Sequence, residues 1–454
     1  MRKRNRLPSI ALPFLLATTA YAAPTATAPP AAFEALAGGQ PVTLVESLRY
    51  ALGHARELEA ADIDAGVARL GMARARAGYL PRVDAGADLT MLSAQPGAII
   101  NGFPVNTADR DIFGIRVTAE QTLYDYGRTS ARIGQADARA DGANEAAAVA
   151  RERQALEVIG AFITARRSEG LKAVAAESLV LAREHRKVSG DLYDQGSVAR
   201  NDLLAADVSV ANAEAALVAA ENRVEIARSR LALRMGISGE RAVLPDAGDI
   251  PVPLAAVPGQ ADSVLAASNQ RREIRAQEGA IREGREAARA ADAEFGPTFF
   301  GRAGYAYDSN GYNPNHNLFS LLIGGRINLF AGNADQVARR QAQRQVDRRE
   351  SELALLKDTI ALDVKAAHLA LREAVQRREA AERAVTAATE NLRIQDDRYR
   401  EGIAISTEQI DAQTLLTRAR IDLQNSTHDV FEARYRLTYT RGELMDYLLP
   451  LVAR

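Results

Sequence analysis

The 454 residues contain no cysteine and no tryptophan, and aromatic residues of all kinds make up only 5%. Without thiols the chain has no disulfide framework, no thiolate chemistry and no amino-terminal cysteine to carry a lipid, which an oxidising compartment tolerates. Charge of one sign is lacking as well. The 57 basic and 58 acidic residues leave a formal net charge of −1, which points to neither a nucleic acid nor an acidic surface as partner. Beyond the amino terminus no run approaches eighteen consecutive apolar residues, so no transmembrane helix is expected and a membrane-inserted form would have to be a barrel. There is no nucleophile elbow, no phosphate loop and no Cys-His constellation. The five histidines, His54, His185, His316, His368 and His428, have no ligand spacing with one another. The expectation is a protein that is not an enzyme and holds no cofactor or metal.

What is present is Ala, Arg, Glu, Leu and Gln in long proline-free stretches, a usage that favours long paired helices over one large core. Proline breaks helix interiors, so the sixteen prolines mark where helices stop. They fall at Pro8 to Pro41, Pro81 to Pro104, Pro245 to Pro258, Pro297, Pro314 and Pro450. The longest frame opens after Leu123-Tyr124-Asp125-Tyr126 and runs from Gly127 to Tyr193-Asp194-Gln195-Gly196. It returns 206 residues later (Tyr124 to Phe330, Tyr193 to Tyr399), from Leu329-Phe330 to Tyr399-Arg400-Glu401-Gly402. At about 1.5 Å per residue, a helix of that length spans on the order of 100 Å.

Around these frames the chain divides into two repeats. Residues 1–22, with Arg2, Lys3, Arg4 and Arg6 before an apolar run and Ala20-Tyr21-Ala22 at its end, read as a removable export peptide. Residues 23–43 form a mature tail. The first repeat, 44–236, holds a helix from Leu44 to Tyr79, a strand pair over 82–123, a long helix over 127–195 and a helix over 200–235. An irregular connector, 237–260, is rich in Pro, Gly and Val. The second repeat, 261–442, holds a helix from Ala261 to Glu294, a strand pair over 298–329, a long helix over 333–401 and a helix over 406–441, followed by a tail, 443–454.

The strands are marked by period-two alternation, as in Val83, Ala85, Ala87, Leu89 and Met91 against Asp84, Gly86, Asp88 and Thr90. The long helices carry 3-4 seams: Leu171, Val174, Ser178, Leu181, His185, Val188 and Leu192, then Leu353, Leu356, Ile360, Val364, Ala367, Leu371 and Ala374. Together the two shorter helices of a repeat match the long one in length, so they can stack end to end beside it. The strands then sit at one end and the Gly196 turn at the other.

Strands of about ten residues suit a tilted membrane strand. Four of them cannot close a barrel, which needs about eight, and open edges are not tolerated in lipid. Three chains supply twelve, so a homotrimer is the inferred minimum. The rival is an exported periplasmic coiled-coil adaptor or structural protein without a pore, but such a protein has no need of matched strand pairs.

The ordered set Leu123-Tyr124-Asp125-Tyr126-Gly127, Leu329-Phe330-Ala331-Gly332, Arg398-Tyr399-Arg400-Glu401-Gly402 and Glu408-Gln409-Ile410-Asp411-Ala412-Gln413 resembles the TolC-like outer membrane factor family from about Leu44 to Gly442. The resemblance implies a mainly α fold with a small β part: a tandem-repeat coiled-coil tunnel under a trimeric twelve-stranded β-barrel. The chain would be the exit duct of a tripartite efflux pump or type I secretion system in the Gram-negative outer membrane, embedded in its lipid and reaching into the periplasm. Its partners would be a periplasmic adaptor and an inner-membrane transporter.

The resemblance also assigns adaptor docking to Gln195, Gly196, Ser197, Glu401, Gly402 and Ile403, a periplasmic gate to Glu408 and Asp411, and a tip latch to Asp202 and Tyr399. Spaced i and i+3, the two gate acids share one helix face, and three chains would present acid rings that favour cations. The plainer role for them is a solvated helix start. Two positions depart from the family pattern. Ala404 stands where some members carry arginine, which implies a differently built latch. Arg56-Glu57-Leu58 and Arg272-Glu273-Ile274 lack the family's usual proline before glutamate, a matter of helix shape.

Overall fold

The computed structural model describes residues 41–237, 243–253 and 257–453. The export peptide and nearly all of the mature tail lie outside them. The first repeat runs α1 (Leu44–His54), α2 (Arg56–Arg76), β1 (Arg82–Met91), β2 (Gly97–Ile100), β3 (Phe103–Asn106), β4 (Asp111–Tyr124), α3 (Arg128–Asp194) and α4 (Arg200–Arg234). The second runs α5 (Gln260–Gln270), α6 (Arg272–Asp292), β5 (Thr298–Asp308), β6 (Asn317–Arg326), α7 (Ala334–Arg400) and α8 (Ser406–Thr440), followed by α9 (Leu444–Val452). Both long helices have 67 residues and both lower helices have 35.

Local chemistry starts the chain cleanly. At α1 the Thr43 hydroxyl accepts from the Glu46 amide while the Glu46 carboxylate accepts from the Thr43 amide, a reciprocal capping box. The four long strands form one antiparallel sheet in the order β1-β4-β5-β6, so the β4–β5 pair joins the two repeats. Its alternation is the one read from sequence: Arg82, Asp84, Gly86 and Asp88 sit opposite Glu120, Thr118, Arg116 and Gly114. The segment read as a loop between Pro96 and Pro104 contains a small hairpin, β2–β3. Asn101 and Gly102, both at positive φ, make the turn that an Asn-Gly pair favours.

Two expected helices are each broken in two. The chain leaves the helix at Ala55 (φ −68, ψ 127) and again at Arg271 (φ −61, ψ 122). No proline causes this; the neighbours do. Gly236, which ends α4 at φ +83, approaches so closely that a Cβ there would lie 2.5 Å from the His54 carbonyl oxygen, and Gly442 after α8 (φ +78) comes against Arg271 and Gln270 in the same way. Each lower helix therefore butts end-on against the break in its upper partner, which is the end-to-end stacking expected from the helix lengths.

The largest apolar cluster gathers at this level, with Leu48, Val158, Ile159, Ile163, Leu231, Met235, Tyr435, Leu444 and Leu448 among its buried members. Leu444 and Leu448 come from α9, in the segment read as a tail. The connector also joins this level: Val42 donates to the Leu244 carbonyl at 2.9 Å and accepts from the Asp246 amide at 2.8 Å.

Across the upper half the helices lie in the order α2-α3-α6-α7, and across the lower half in the order α4-α3-α8-α7. The wall thus has one free flank formed by α2 and α4 and another formed by α7. β1 and β6 are the open edges of the sheet on the same two flanks. Exposed apolar rows mark both: Ile63, Val67 and Leu70 on α2, Leu204 and Val208 on α4, and Leu355, Leu362 and Leu369, seven residues apart, on α7. Helix α4 is apolar enough over an eighteen-residue window to cross a bilayer by composition, which a search for unbroken apolar runs does not detect. Its packing along α3 places it in the helical wall.

Candidate gate and docking tip

Each long helix ends in a tight glycine turn at the end of the molecule away from the strands. Gly196 stands at φ +72, with its amide on the Tyr193 carbonyl and the Ser197 amide on the Leu192 carbonyl, both at 2.9 Å. Gly402, at φ +73, repeats the pattern with Tyr399 and Arg398. These are Schellman closures, and the left-handed backbone at their centre is why glycine stands there. The candidate docking residues Gln195, Gly196, Ser197, Glu401, Gly402 and Ile403 are all exposed on these two turns. Ile403 and Ile405 place two exposed apolar side chains on the second turn.

Glu408 and Asp411 lie on the first two turns of α8, both exposed. Among the described residues neither makes an ion pair or a side-chain hydrogen bond. Many other exposed acids on these helices are engaged, such as Glu390 with Arg393 at 2.7 Å. Both acids are thus left without a basic partner among the described residues.

Asp202 and Tyr399 sit close to each other in the fold without bonding directly. Tyr399 is fully buried, and its hydroxyl donates to Ser189 Oγ at 2.9 Å. Asp202 is half-buried, and its carbonyl lies 3.4 Å from Ser406 Oγ, which donates to it. Between them stands His185, whose Nε2 is 2.9 Å from Ser406 Oγ and whose ring lies 4.9 Å from that of Tyr399. Burial pushes the His185 imidazole down to about 4, against a smaller opposing pull from Asp202. Ala404, where an arginine latch would stand, is buried, and its amide donates to the Arg398 carbonyl at 3.2 Å. At the tip the two hairpins therefore meet through His185, Ser189, Tyr399, Ser406 and the Asp202 carbonyl, and further along through Gln413 Nε2, which donates to the Ser178 carbonyl at 2.9 Å. Sequence reasoning placed His185 in the seam of the long helix and missed Ser189 and Ser406, because their partners lie on other helices.

A four-stranded sheet with two open edges, continuous with a helical wall open on the same flanks, is one sector of a barrel above a tunnel. The outer membrane efflux protein model matches residues 48–236 and 265–443, most of the chain and both repeats. The chain belongs to the outer membrane efflux protein family. It is an outer-membrane channel-tunnel of an efflux pump, extending into the periplasm, and the family's members are trimeric passive channels that work with pump partners.

A sequence search of curated proteins finds no match. Solved structures share the fold at low identity. A membrane protein from Pseudomonas aeruginosa aligns with a TM-score of 0.77 at 19% identity, over 88% of this chain and 93% of that one. The Campylobacter jejuni CmeC outer membrane channel gives 0.76 at 13%, over 88% and 86%. The Vibrio cholerae outer membrane protein VceC gives 0.73 at 16%, over 88% and 96%.

Proposed function

We propose that three copies close head to tail, β6 of one sheet on β1 of the next and α7 of one wall on α2 and α4 of the next, into a twelve-stranded barrel over a helical tunnel. Heterologous contacts of this kind form rings when the rotation closes. The assembly is a passive exit duct with no catalytic step. A periplasmic adaptor docks on Gln195, Gly196, Ser197, Glu401, Gly402 and Ile403, and an inner-membrane transporter drives the substrate, in an efflux pump or a type I secretion system.

Flow is controlled at the tip, where Glu408 and Asp411 from three chains form stacked acid rings, with Asp202 and Tyr399 in the latch beside them. One observation carries this most: both acids are exposed and unpaired beside the second glycine turn. Unpaired acid rings at a narrow point attract cations and repel anions. Single-channel recording of the Glu408→Ala/Asp411→Ala trimer in a planar bilayer tests it. A rise in conductance together with a weaker cation preference is expected; unchanged conductance and selectivity would remove the two acids from the gate.

A further inference from the structure

Building on the tip as the gate, we propose that His185, in its neutral form, is the pin that holds the two hairpins of the tip together, and that its protonation releases the α7–α8 hairpin. The geometry comes from four helices. His185 and Ser189 stand on α3, Tyr399 ends α7, Ser406 opens α8, and the Asp202 carbonyl belongs to the first turn of α4.

Neutral His185 donates its Nε2–H to Ser406 Oγ, which gives its own proton to the Asp202 carbonyl, while Tyr399 donates to Ser189, whose Oγ lies 3.5 Å from the same Nε2. All four side chains are buried, His185 to 2% exposure. Its other nitrogen, Nδ1, is buried with no partner. A proton added to this ring goes to Nδ1, the nitrogen whose lone pair is free, and makes it a donor. It also places a full charge where nothing accepts from Nδ1, and a buried charge without partners is costly.

The groups facing the ring are the phenol of Tyr399 from α7, the hydroxyls of Ser189 and Ser406 from α3 and α8, and from α4 the Asp202 carboxylate, the single charged group among them that acts on the ring and one that favours the cation. Burial outweighs it. Protonation is thus satisfied only if the hairpins separate and water reaches the ring. The first residue to move is Ser406, two positions before Glu408, so the pin acts directly on the segment that carries the acid rings. Histidine is the side chain whose charge changes in mildly acidic conditions, which makes the duct respond to acid on the periplasmic side.

The test is the single-channel conductance of the full trimer as the solution bathing the tip is taken from neutral pH through and below about 6.5. Wild type is expected to step up severalfold in acid. His185→Gln keeps a donor for Ser406 but takes up no proton, and its conductance is expected to stay flat. Glu408→Gln/Asp411→Gln separates this proposal from the gate itself: it should lose cation preference yet keep the acid step. An acid step of full size in His185→Gln, or no step in wild type, overturns the pin and leaves the acid rings untouched. Where His185→Gln fails to assemble, Ser406→Ala serves instead. It is expected to conduct at neutral pH as wild type does in acid, and neutral-pH conductance equal to wild type overturns the proposal.

Discussion

At the scale of the residue, the clearest tension lies at the level where the helices break. Glu152 on α3 is 3% exposed and accepts from Arg272 Nε at 3.1 Å, yet burial, with help from Glu273, raises its carboxyl from 4.5 to about 7 against the pull of Arg272. The folded chain therefore holds this proton up to about pH 7, while the unfolded chain releases it near 4.5. Between those values the native state binds more protons, so its stability falls as pH rises through the window. Glu152→Gln removes the linkage. Its thermal midpoint, followed from pH 4.5 to 7, should decline less steeply than that of wild type; parallel profiles would show that Glu152 stays ionised in the fold. Neither this site nor the His185 cluster could be read along the chain, because Glu152 and Arg272 are far apart in sequence and meet only through the packing of α3 on α6.

At the scale of the element, most of the fold was legible. The four long strands were readable because period two leaves one apolar face, and the long helices because proline-free 3-4 seams leave a buried stripe: Val174, His185, Ile360, Val364 and Leu371 are buried as the seams require. The breaks at Ala55 and Arg271 were not, since the sequence there has ordinary helix formers and the cause is the end of another helix pressing in. Helix α9 was also missed, although Leu444 and Leu448 at i and i+4 gave it an apolar face.

The row of β6 formed by Phe319, Leu321 and Ile323 is largely exposed in the single chain, and in the proposed barrel it is the row that faces lipid. Leu321→Lys should cost the assembled barrel about 2–4 kcal/mol per chain, the range for a basic residue deep in the lipid-facing band, read as a lower midpoint in a urea melt of the folded protein in lipid. The same change at Ser320, on the opposite face, should cost much less; equal losses would mean that the two faces of β6 are not lipid and lumen.

At the scale of the whole molecule, both free flanks of the wall and both open edges of the sheet belong to the same two sides of the chain, so one contact, repeated, closes barrel and tunnel together. The exposed apolar rows on α2, α4 and α7 are explained in the same way, as surfaces a neighbour covers. The number of copies decides whether this is right, since each adds four strands. Native mass measurement of the detergent-extracted protein tests it most directly. Three chains, and hence twelve strands, are expected. A stable monomer, or a two-chain assembly with an eight-stranded barrel, would contradict the trimeric tunnel.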